Sequence, residues 1–248
     1  MSDPGNEPHA ELSTPIWQAL GTRQAHLGEA NVLARRYQAD VAPFAAVAEE
    51  LPEAFDALAE LMRPGEIAAV LSREPLALPP GLRSTPLGAV HQMVAESRID
   101  PAAGFGAGIL ELTDADVDDM LALTQLTKPG PFARRTNAMG RYIGLREEGK
   151  LIAMAGERMR VPGYTEVSAV CVDPAQRGRG LAALLINVLR DEIERRGEIP
   201  FLHVFGGNQS AIALYERLGF RLSRVFMLNQ VSRAGDAVGA TTAPLHAD

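Results

Sequence analysis

Residues 170–185 combine a β-branched stretch, a short loop with two glycines and an apolar run at helical spacing. Gly178 and Gly180 have no side chain, so the loop backbone can approach a ligand closely. The first amides of the following helix lack an intrahelical acceptor, and the helix dipole favours an anion beside them. Arg177 and Arg179 add positive charge. The segment predicts a phosphate or pyrophosphate site, with a plain strand–turn–helix connection as the alternative.

The spacing of this loop distinguishes between classes of pyrophosphate site. Gly178-x-Gly180-x-x-Ala183 matches the relaxed dinucleotide fingerprint, which requires a tight turn and an acidic residue at the end of the next strand. Here residues 173–177 lengthen the turn, and two glycines follow the next predicted strand, 201–205. A P-loop would need Gly-Lys-Ser/Thr, which does not follow. The pattern therefore disfavours both nicotinamide and nucleoside triphosphate binding.

Two motifs resemble the GNAT superfamily of N-acyltransferases. Arg177-x-x-Gly180-x-Ala182 is similar to the family's Q/R-x-x-G-x-G/A motif and follows a Val-Cys-Val-Asp-Pro strand end. Downstream, residues 208–220 resemble its N-x-x-A-x-x-x-Y-x-x-x-G-F segment. The resemblance covers residues 109–230. The first half lacks both motifs and resembles, more weakly, the degenerate N-terminal halves of some tandem GNAT proteins.

The resemblance implies acetyl-coenzyme A as co-substrate, with no metal. In the family, backbone groups at the strand end hydrogen-bond the pantetheine arm, loop amides hold the pyrophosphate, and the motif asparagine contacts the cofactor arm. The motif tyrosine, here Tyr215, is the expected donor of a proton to the departing thiolate. The residues expected to contact the cofactor are Val170, Cys171, Val172, Arg177, Gly178, Arg179, Gly180, Leu181, Ala182 and Asn208.

Acyl transfer to an amine also requires a proton acceptor. Glu166 lies on the strand before the glycine loop, where histone-acetylating members of the family carry their base. In a strand it shares a face with Ser168, Val170 and Val172. Glu166 is the first candidate and Glu157, on the neighbouring strand, the second; a water chain is a third route, and both carboxylates could instead be solvated.

Other reactive side chains in this region have simpler interpretations. Cys171 lies between valines, which indicates a core thiol rather than a nucleophile. His203 lies mid-strand between Leu202 and Val204 and is expected to be structural or to line a groove, with catalysis as the minor alternative. Arg134 and Arg135 are expected to be solvated.

The elements needed to position these residues follow from periodicity and turn signals. In the second half, strands are predicted at residues 109–112, 142–146, 151–159, 165–172, 201–205 and 220–230, and helices at 114–126, 181–195 and 210–218. The first half is predicted to hold a helix at 52–62, with strands at 42–47, 67–71 and 90–94. Residues 16–20 and 25–33 are expected to be helical or loop-like, and the proline-rich residues 75–86 to form a loop.

The predicted fold class is mixed α/β. We expect a disordered arm at 1–11, a smaller mixed α/β region at 12–105, which could be a degenerate GNAT copy, a GNAT domain at 106–233 and a flexible tail at 234–248. Within these bounds no internal repeat is evident from residue identities.

Composition places the chain among globular proteins. Its 248 residues are 46% hydrophobic and 22% charged, with a net charge of −7, which disfavours nonspecific nucleic-acid binding and weakly suits a cationic substrate. No stretch approaches the roughly 20 apolar residues of a membrane span, and the polar N-terminus does not resemble a signal peptide. With a single cysteine, no intrachain disulfide can form, so a cytoplasmic protein is expected.

The expected function is acetyl-coenzyme A-dependent N-acetylation of a primary amine, on a small molecule or a peptide, by direct transfer in a ternary complex. A transferase for a longer acyl group and a non-catalytic acyl-coenzyme A-binding protein remain open. The acceptor's identity and the oligomeric state, a homodimer included, are not determined by the sequence.

Overall fold

A computed structural model of the chain describes residues 8–98 and 108–236. Eleven strands form one mixed sheet, and five α-helices pack against it. The strands are β1 Gly28–Ala30, β2 Ala34–Tyr37, β3 Phe44–Val47, β4 Ile67–Ser72, β5 Leu82–Ala95, β6 Leu110–Leu112, β7 Tyr142–Glu147, β8 Lys150–Val161, β9 Tyr164–Val172, β10 Ile199–Phe205 and β11 Phe220–Arg233. The helices are α1 Pro15–Gly21, α2 Pro52–Leu61, α3 Val117–Thr127, α4 Leu181–Arg195 and α5 Gln209–Arg217. The mixed α/β class predicted from the sequence is confirmed.

The sheet joins the two halves of the chain by exchanging their last strands. Its order is β1-β2-β3-β4-β11-β5-β10-β9-β8-β7-β6. β5, from the first half, pairs antiparallel with β10 of the second, and β11, from the second half, pairs antiparallel with β4 of the first. β5 and β11 also pair with each other along most of their length. Each half therefore completes the other's sheet.

The two halves repeat one pattern of parallel strands. β3, α2 and β4 form a strand–helix–strand unit with parallel pairing, and β9, α4 and β10 form another. The connection from β3 to α2 is Ala-Glu-Glu-Leu at residues 48–51, with two carboxylates and no glycine. The first half thus repeats part of the topology without the anion-binding loop.

Local sequence signals account for the second half of the fold. The turn from β7 to β8 uses Glu148 and Gly149 at φ 50° and 81°, and the turn from β8 to β9 uses Gly163 at φ 79°. These left-handed conformations suit tight hairpins. In α4, Leu185, Ile186, Leu189 and Ile193 are buried at helical spacing, and they pack with Val167, Leu202 and Phe220 from the sheet. The predicted hairpin strands and the predicted helix at 181–195 are confirmed.

Three sequence predictions need correction. Residues 82–86, predicted as loop, begin the long strand β5. Pro86 is tolerated there because it pairs with Asn229 next to the register shift between Leu228 and Asn229, and bulges accept proline. β2 was not predicted, because its Ala-Arg-Arg-Tyr sequence has no alternating apolar pattern, and residues 28–30 of the predicted helical or loop segment form β1.

The predicted disordered arm is corrected at residues 8–11. Residues 10–13 form a short 3₁₀ helix that buries Leu12, and the Arg224 guanidinium donates to the carbonyl oxygens of Pro8 and His9. Residues 1–7, the predicted boundary at 105–106 and most of the predicted tail lie outside the described residues. Residues 234–236 are bonded to the body, since the Gly65 amide donates to Asp236. Across the described ranges no helix has the length and apolar composition needed to cross a bilayer.

Candidate active site

A cleft opens where the parallel strands β9 and β10 diverge. They pair at only three positions, from Ile199 opposite Tyr164 to Phe201 opposite Glu166. Beyond Glu166 the strands separate and leave a cleft of about 640 Å³ between them. Glu166 therefore lies at the apex of a V, with the glycine loop at one end of the opening. The volume is in the range of small-molecule sites.

The glycine loop lines the cleft at the start of α4. Gly178 and Gly180 have φ of 80° and 76°, a region that side chains other than glycine rarely adopt. Gly180 precedes the first residue of α4, a helix of 15 residues, so the helix's N-terminal amides and its dipole act at the cleft. Arg177, Leu181 and Ala182 also line it. These features fit a pyrophosphate.

Arg179 is directed elsewhere. Its guanidinium donates to the Glu147 carboxylate at 3.1 Å and to the side chain of Gln176, and Arg179 is not among the residues that line the cleft. Arg177 is the arginine of this pair that lines the cleft. The prediction of an Arg179 side-chain contact with the cofactor is therefore not supported, because Glu147 already pairs with it.

A β-bulge shapes the β9 edge of the cleft. Met154 pairs with Cys171 and Gly156 with Ser168, so Ala155 lies opposite both Ala169 and Val170. Ala169 has φ 50°, in the left-handed region. Bulges near active sites redirect backbone groups, and here Ser168, Ala169, Val170 and Val172 all line the cleft.

Cys171 faces away from the cleft. Its side chain packs with Leu112, Met120 and Met154, and burial raises the pKa of the thiol to about 12. It is a protonated core thiol, as expected from its neighbours in the sequence. Any contact with a cofactor at this position is restricted to the backbone.

Helix α5 brings two motif residues to the cleft. The Asn208 side-chain oxygen accepts from the Ala211 amide at 3.1 Å and caps the helix. About two turns further along the helix, Tyr215 packs against Phe220 and lines the cleft with Asn208. Burial, followed by the nearby Cys171, raises the pKa of Tyr215 to about 12. The phenol therefore keeps its proton at neutral pH.

Glu166 is fully buried and is saturated with hydrogen bonds. Arg158 donates to it from Nε at 2.9 Å and from Nη2 at 2.5 Å. The Met159 amide donates at 3.2 Å, and His203 Nδ1 lies 2.7 Å from Oε1. Arg158 and Met159 form a second bulge, in which two residues of β8 lie opposite the single residue Glu166 of β9. The Met159 amide is out of register with the strand ladder there, and it donates its hydrogen bond to the Glu166 carboxylate.

These contacts oppose the prediction that Glu166 accepts the amine's proton. Burial raises the pKa of Glu166, but the charge and hydrogen bonds of Arg158, followed by those of His203, outweigh it and lower the pKa to about 2. So weak a base is a poor proton acceptor at neutral pH. The side chain is also 0% exposed, so an amine cannot reach it.

Glu157, the second candidate, lies outside the cleft. It is buried beside Gly140 and pairs with Arg196 at 2.6 Å. Successive strand residues point to opposite faces of a sheet, and the Arg158–Met159 bulge interrupts that alternation next to Glu157. The face of the sheet on which Glu157 lies therefore could not be inferred without the strand register.

Arg158 and His203, which both bind Glu166, line the cleft at the apex, and of the two His203 is the side chain that can accept a proton. With Nδ1 against Glu166, its Nε2 lies 3.2 Å from Gln92 Nε2, on β5. A carboxylate at Nδ1 favours the tautomer whose Nε2 is an acceptor. The groove-lining interpretation of His203 is confirmed. The sequence did not indicate Gln92, which contacts His203, or Arg158, which binds the same carboxylate as His203. The positions of Gln92 and Arg158 depend on strand exchange and strand register.

The far end of the cleft contains side chains from both halves. Phe44, Leu71 and Val90 come from β3, β4 and β5, and Leu228 comes from β11. No sequence motif marks them. In the described ranges, no group of three or more His, Cys, Asp or Glu side chains is placed to hold a metal ion.

The chain resembles known acetyltransferases in sequence. The model of the FR47-like protein family matches residues 142–227. N-alpha-acetyltransferase RimI of Mycobacterium tuberculosis is 37% identical over 97 residues, which is 38% of this chain and 60% of that protein. [Ribosomal protein bS18]-alanine N-acetyltransferase of Escherichia coli K12 is 33% identical over 118 residues, covering 45% of this chain and 79% of that protein. The family model covers part of the second half of the chain.

Solved structures extend the similarity to both halves. A crystal structure from Novosphingobium aromaticivorans, described as an acetyltransferase from the GNAT family, is 40% identical, with a TM-score of 0.83, over 90% of this chain and 99% of that one. A GCN5-related N-acetyltransferase from Kribbella flavida shares the fold at 18% identity, with a TM-score of 0.58. Motifs, cleft and relatives agree: the chain belongs to the GNAT family of acetyltransferases.

Proposed function

We propose that the protein is an acetyl-coenzyme A-dependent N-acetyltransferase that transfers acetyl directly to a primary amine in a ternary complex. The observation that carries the proposal is a single cleft with a glycine-loop helix start at one end and a tyrosine and a carboxylate-bound histidine along its walls. Direct transfer follows because the cysteine is buried away from the cleft and holds its proton. The enzyme then acts mainly by juxtaposing the two reactants.

The cofactor would lie along β9 with its pyrophosphate on the glycine loop. The amides of Gly178 to Ala182 and the Arg177 guanidinium provide positive partial and full charge. Val170 and Val172 lie on the cleft side of β9, where their backbone can pair with an extended pantetheine arm. Asn208 stands at the opposite wall and contacts that arm.

Two groups would stabilise the reacting centre. The bulge at Ala169 takes β9 out of its regular ladder beside the cleft, so that a β9 amide there would be available to donate to the thioester carbonyl as charge develops on that oxygen. Tyr215 retains its proton at neutral pH and can give it to the departing thiolate. The β9 amide would act on the thioester from the β9 side of the cleft, and Tyr215 would act from the α5 side.

His203 replaces Glu166 as our candidate for accepting the amine's proton. The imidazole lines the cleft, and Glu166 fixes its Nδ1 from behind at 2.7 Å. This assigns Glu166 a positioning role: it orients His203 and Arg158 without touching substrate. The Gln92 side-chain amide contacts the other ring nitrogen, Nε2, and an incoming amine would take the place of Gln92.

The histidine assignment predicts the behaviour of a His203→Gln variant. We expect turnover to fall by on the order of 100-fold, as for loss of a general base, with acetyl-coenzyme A affinity unchanged. His26→Gln, at an exposed position outside the cleft, is the matched control. A His203→Gln variant with wild-type turnover would contradict the assignment of His203 as the proton acceptor.

A peptide amine is a second acceptor class, because one relative is named as an N-alpha-acetyltransferase and another as an N-acetyltransferase for an alanine of a ribosomal protein. A longer acyl donor and a non-catalytic acyl-coenzyme A-binding protein remain alternatives. Calorimetric titration with acetyl-coenzyme A, followed by free-thiol release against a panel of amines, separates them. Binding with release is the result we expect; binding without release to any amine would favour the non-catalytic alternative. The protein's single cysteine is buried, which is compatible with a reducing cytoplasm.

A further inference from the structure

The cleft has an apolar end, built by one side chain from each of five neighbouring strands together with Met159. Phe44, Leu71, Leu228, Val90 and Phe205 come from β3, β4, β11, β5 and β10, in the order of the sheet. Leu228 pairs across the ladder with Leu71, and Val90 with Phe205. These side chains belong to one apolar cluster, in which Leu71 and Phe205 are only partly buried. The cluster thus presents an apolar wall to the cleft.

The charges on the cleft wall are all of one sign. Among the residues the structure describes, those lining the cleft include Lys128, Arg158, Arg177 and Arg217, and none is aspartate or glutamate. The chain's net charge of −7 therefore lies elsewhere on the molecule. A substrate with several ammonium groups would find no carboxylate on this wall to balance them.

The Glu166 carboxylate, behind the apex of the cleft, is already paired. Glu166 is 0% exposed and binds Arg158, whose side chain is 11% exposed. Arg158 in turn lies over the Phe44 ring, with Cζ 4.8 Å from its centroid. The ion pair neutralises itself, and a second ammonium brought to this end would be desolvated without a partner.

We infer that the acceptor is a small monoamine with an apolar body, such as an alkyl or arylalkyl amine, rather than a polyamine, an aminoglycoside or a cationic peptide. The inference rests on the proposed function and names its substrate class. The amine points to His203 at the apex, and the apolar body packs on the wall formed by Phe44, Leu71 and Leu228. The first half of the chain then sets acceptor specificity, since it provides three of the five strands.

Hexylamine and 1,6-diaminohexane share a six-carbon chain and differ by one distal amino group, so a comparison of the two tests the inference. The wild-type enzyme is assayed by thiol release with hexylamine, phenethylamine, 1,6-diaminohexane, spermidine and an alanine-initiated peptide. We expect kcat/KM for hexylamine to exceed that for 1,6-diaminohexane by about tenfold or more. Equal or faster use of the diamine, or of the peptide, would overturn the inference while leaving the acetyltransferase intact. Acetyl-coenzyme A binding without thiol release for any amine would contradict both this inference and the proposed acetyltransferase function.

A charge introduced at the wall provides the second test. Leu71→Asp should narrow the hexylamine-to-diaminohexane ratio by about tenfold, because the new carboxylate can pair with the distal ammonium. Val225→Asp, on the outward face of β11 at 47% exposure, is the control and should leave the ratio unchanged. Acetyl-coenzyme A affinity reports whether each variant is folded. An unchanged ratio in a folded Leu71→Asp variant contradicts the inference, and the wild-type comparison stands alone if that variant does not fold.

Discussion

Tyr215 illustrates how a single side chain's environment defines its chemistry here. Because burial raises its pKa to about 12, it is a proton donor and not a base at neutral pH. Tyr215→Phe should lower kcat by about 100-fold or more, the typical contribution of a general acid, with the dissociation constant of acetyl-coenzyme A little changed. Steady-state kinetics and calorimetry measure the two effects. Tyr164→Phe, whose hydroxyl contacts His9 rather than the cleft, is the control, and equal losses in both variants would contradict the assignment.

Glu166 makes a prediction about stability as well as catalysis. Its pKa is lowered from 4.5 to about 2 in the folded state, so between these values the unfolded chain binds more protons, and stability rises with pH. The carboxylate's contribution is fully present above pH 4.5 and is lost as pH falls toward 2. At neutral pH, Glu166→Gln should destabilise by about 3–5 kcal/mol, because Arg158 is left buried without its charge partner.

Urea denaturation at several pH values checks this prediction. The difference between wild type and Glu166→Gln should be constant from pH 7 to pH 6 and shrink by about 0.8 kcal/mol at pH 4. Glu111→Gln, at an exposed position, gives the background. A pH-independent difference would mean that folding does not lower the pKa of Glu166.

At the scale of elements, the shape of the glycine loop and the start of α4 depends on the left-handed backbone conformations of Gly178 and Gly180. Gly180 has φ 76° and open space at its Cβ position, and so does Gly163 in the β8–β9 turn, at φ 79°. Gly180→Ala and Gly163→Ala should therefore each destabilise by about 1 kcal/mol. Only Gly180→Ala should also weaken acetyl-coenzyme A binding, because the strain is relieved by moving the amides that hold the pyrophosphate. Equal affinity in the two variants would place the pyrophosphate elsewhere.

Elements set by local signals could be predicted from the sequence, and those set by distant pairing could not. The apolar spacing of α4, its glycine start and the hairpin turns at Gly149 and Gly163 are local. So are the motif positions of Asn208 and Tyr215. The partners of Glu166 depend on a bulge that shifts register by one residue, which no period reveals. The apolar end depends on strands from opposite halves of the chain.

At the scale of the whole molecule, the exchange of β5 and β11 makes the halves interdependent. A chain of residues 106–233 alone would lack β5, which separates β10 from β11 in the sheet. Two strands would then have an unpaired edge and expose their apolar face. We expect this fragment to show no cooperative unfolding transition by circular dichroism, whereas the full chain does. A fragment that unfolds cooperatively and binds acetyl-coenzyme A would show that the second half is an independent domain.

The exchange also explains why a half without binding motifs is part of the site. The first half places Glu49 and Glu50 where the second half has its glycine loop, so it is not suited to hold a second pyrophosphate. Its contribution is β3, β4 and β5, which bring Phe44, Leu71 and Val90 to the cleft. On the proposed function, cofactor binding and acceptor binding would thereby be divided between the halves.

A single-turnover measurement tests direct acetyl transfer in this cleft most directly. Enzyme in excess is mixed with acetyl-coenzyme A, with or without hexylamine, and free thiol and N-acetyl product are followed by rapid quench. The account predicts no thiol without amine, and thiol and N-acetylhexylamine appearing together at one rate when amine is present. A burst of thiol in the absence of amine, or thiol release that precedes product, would contradict it by requiring an acetylated enzyme.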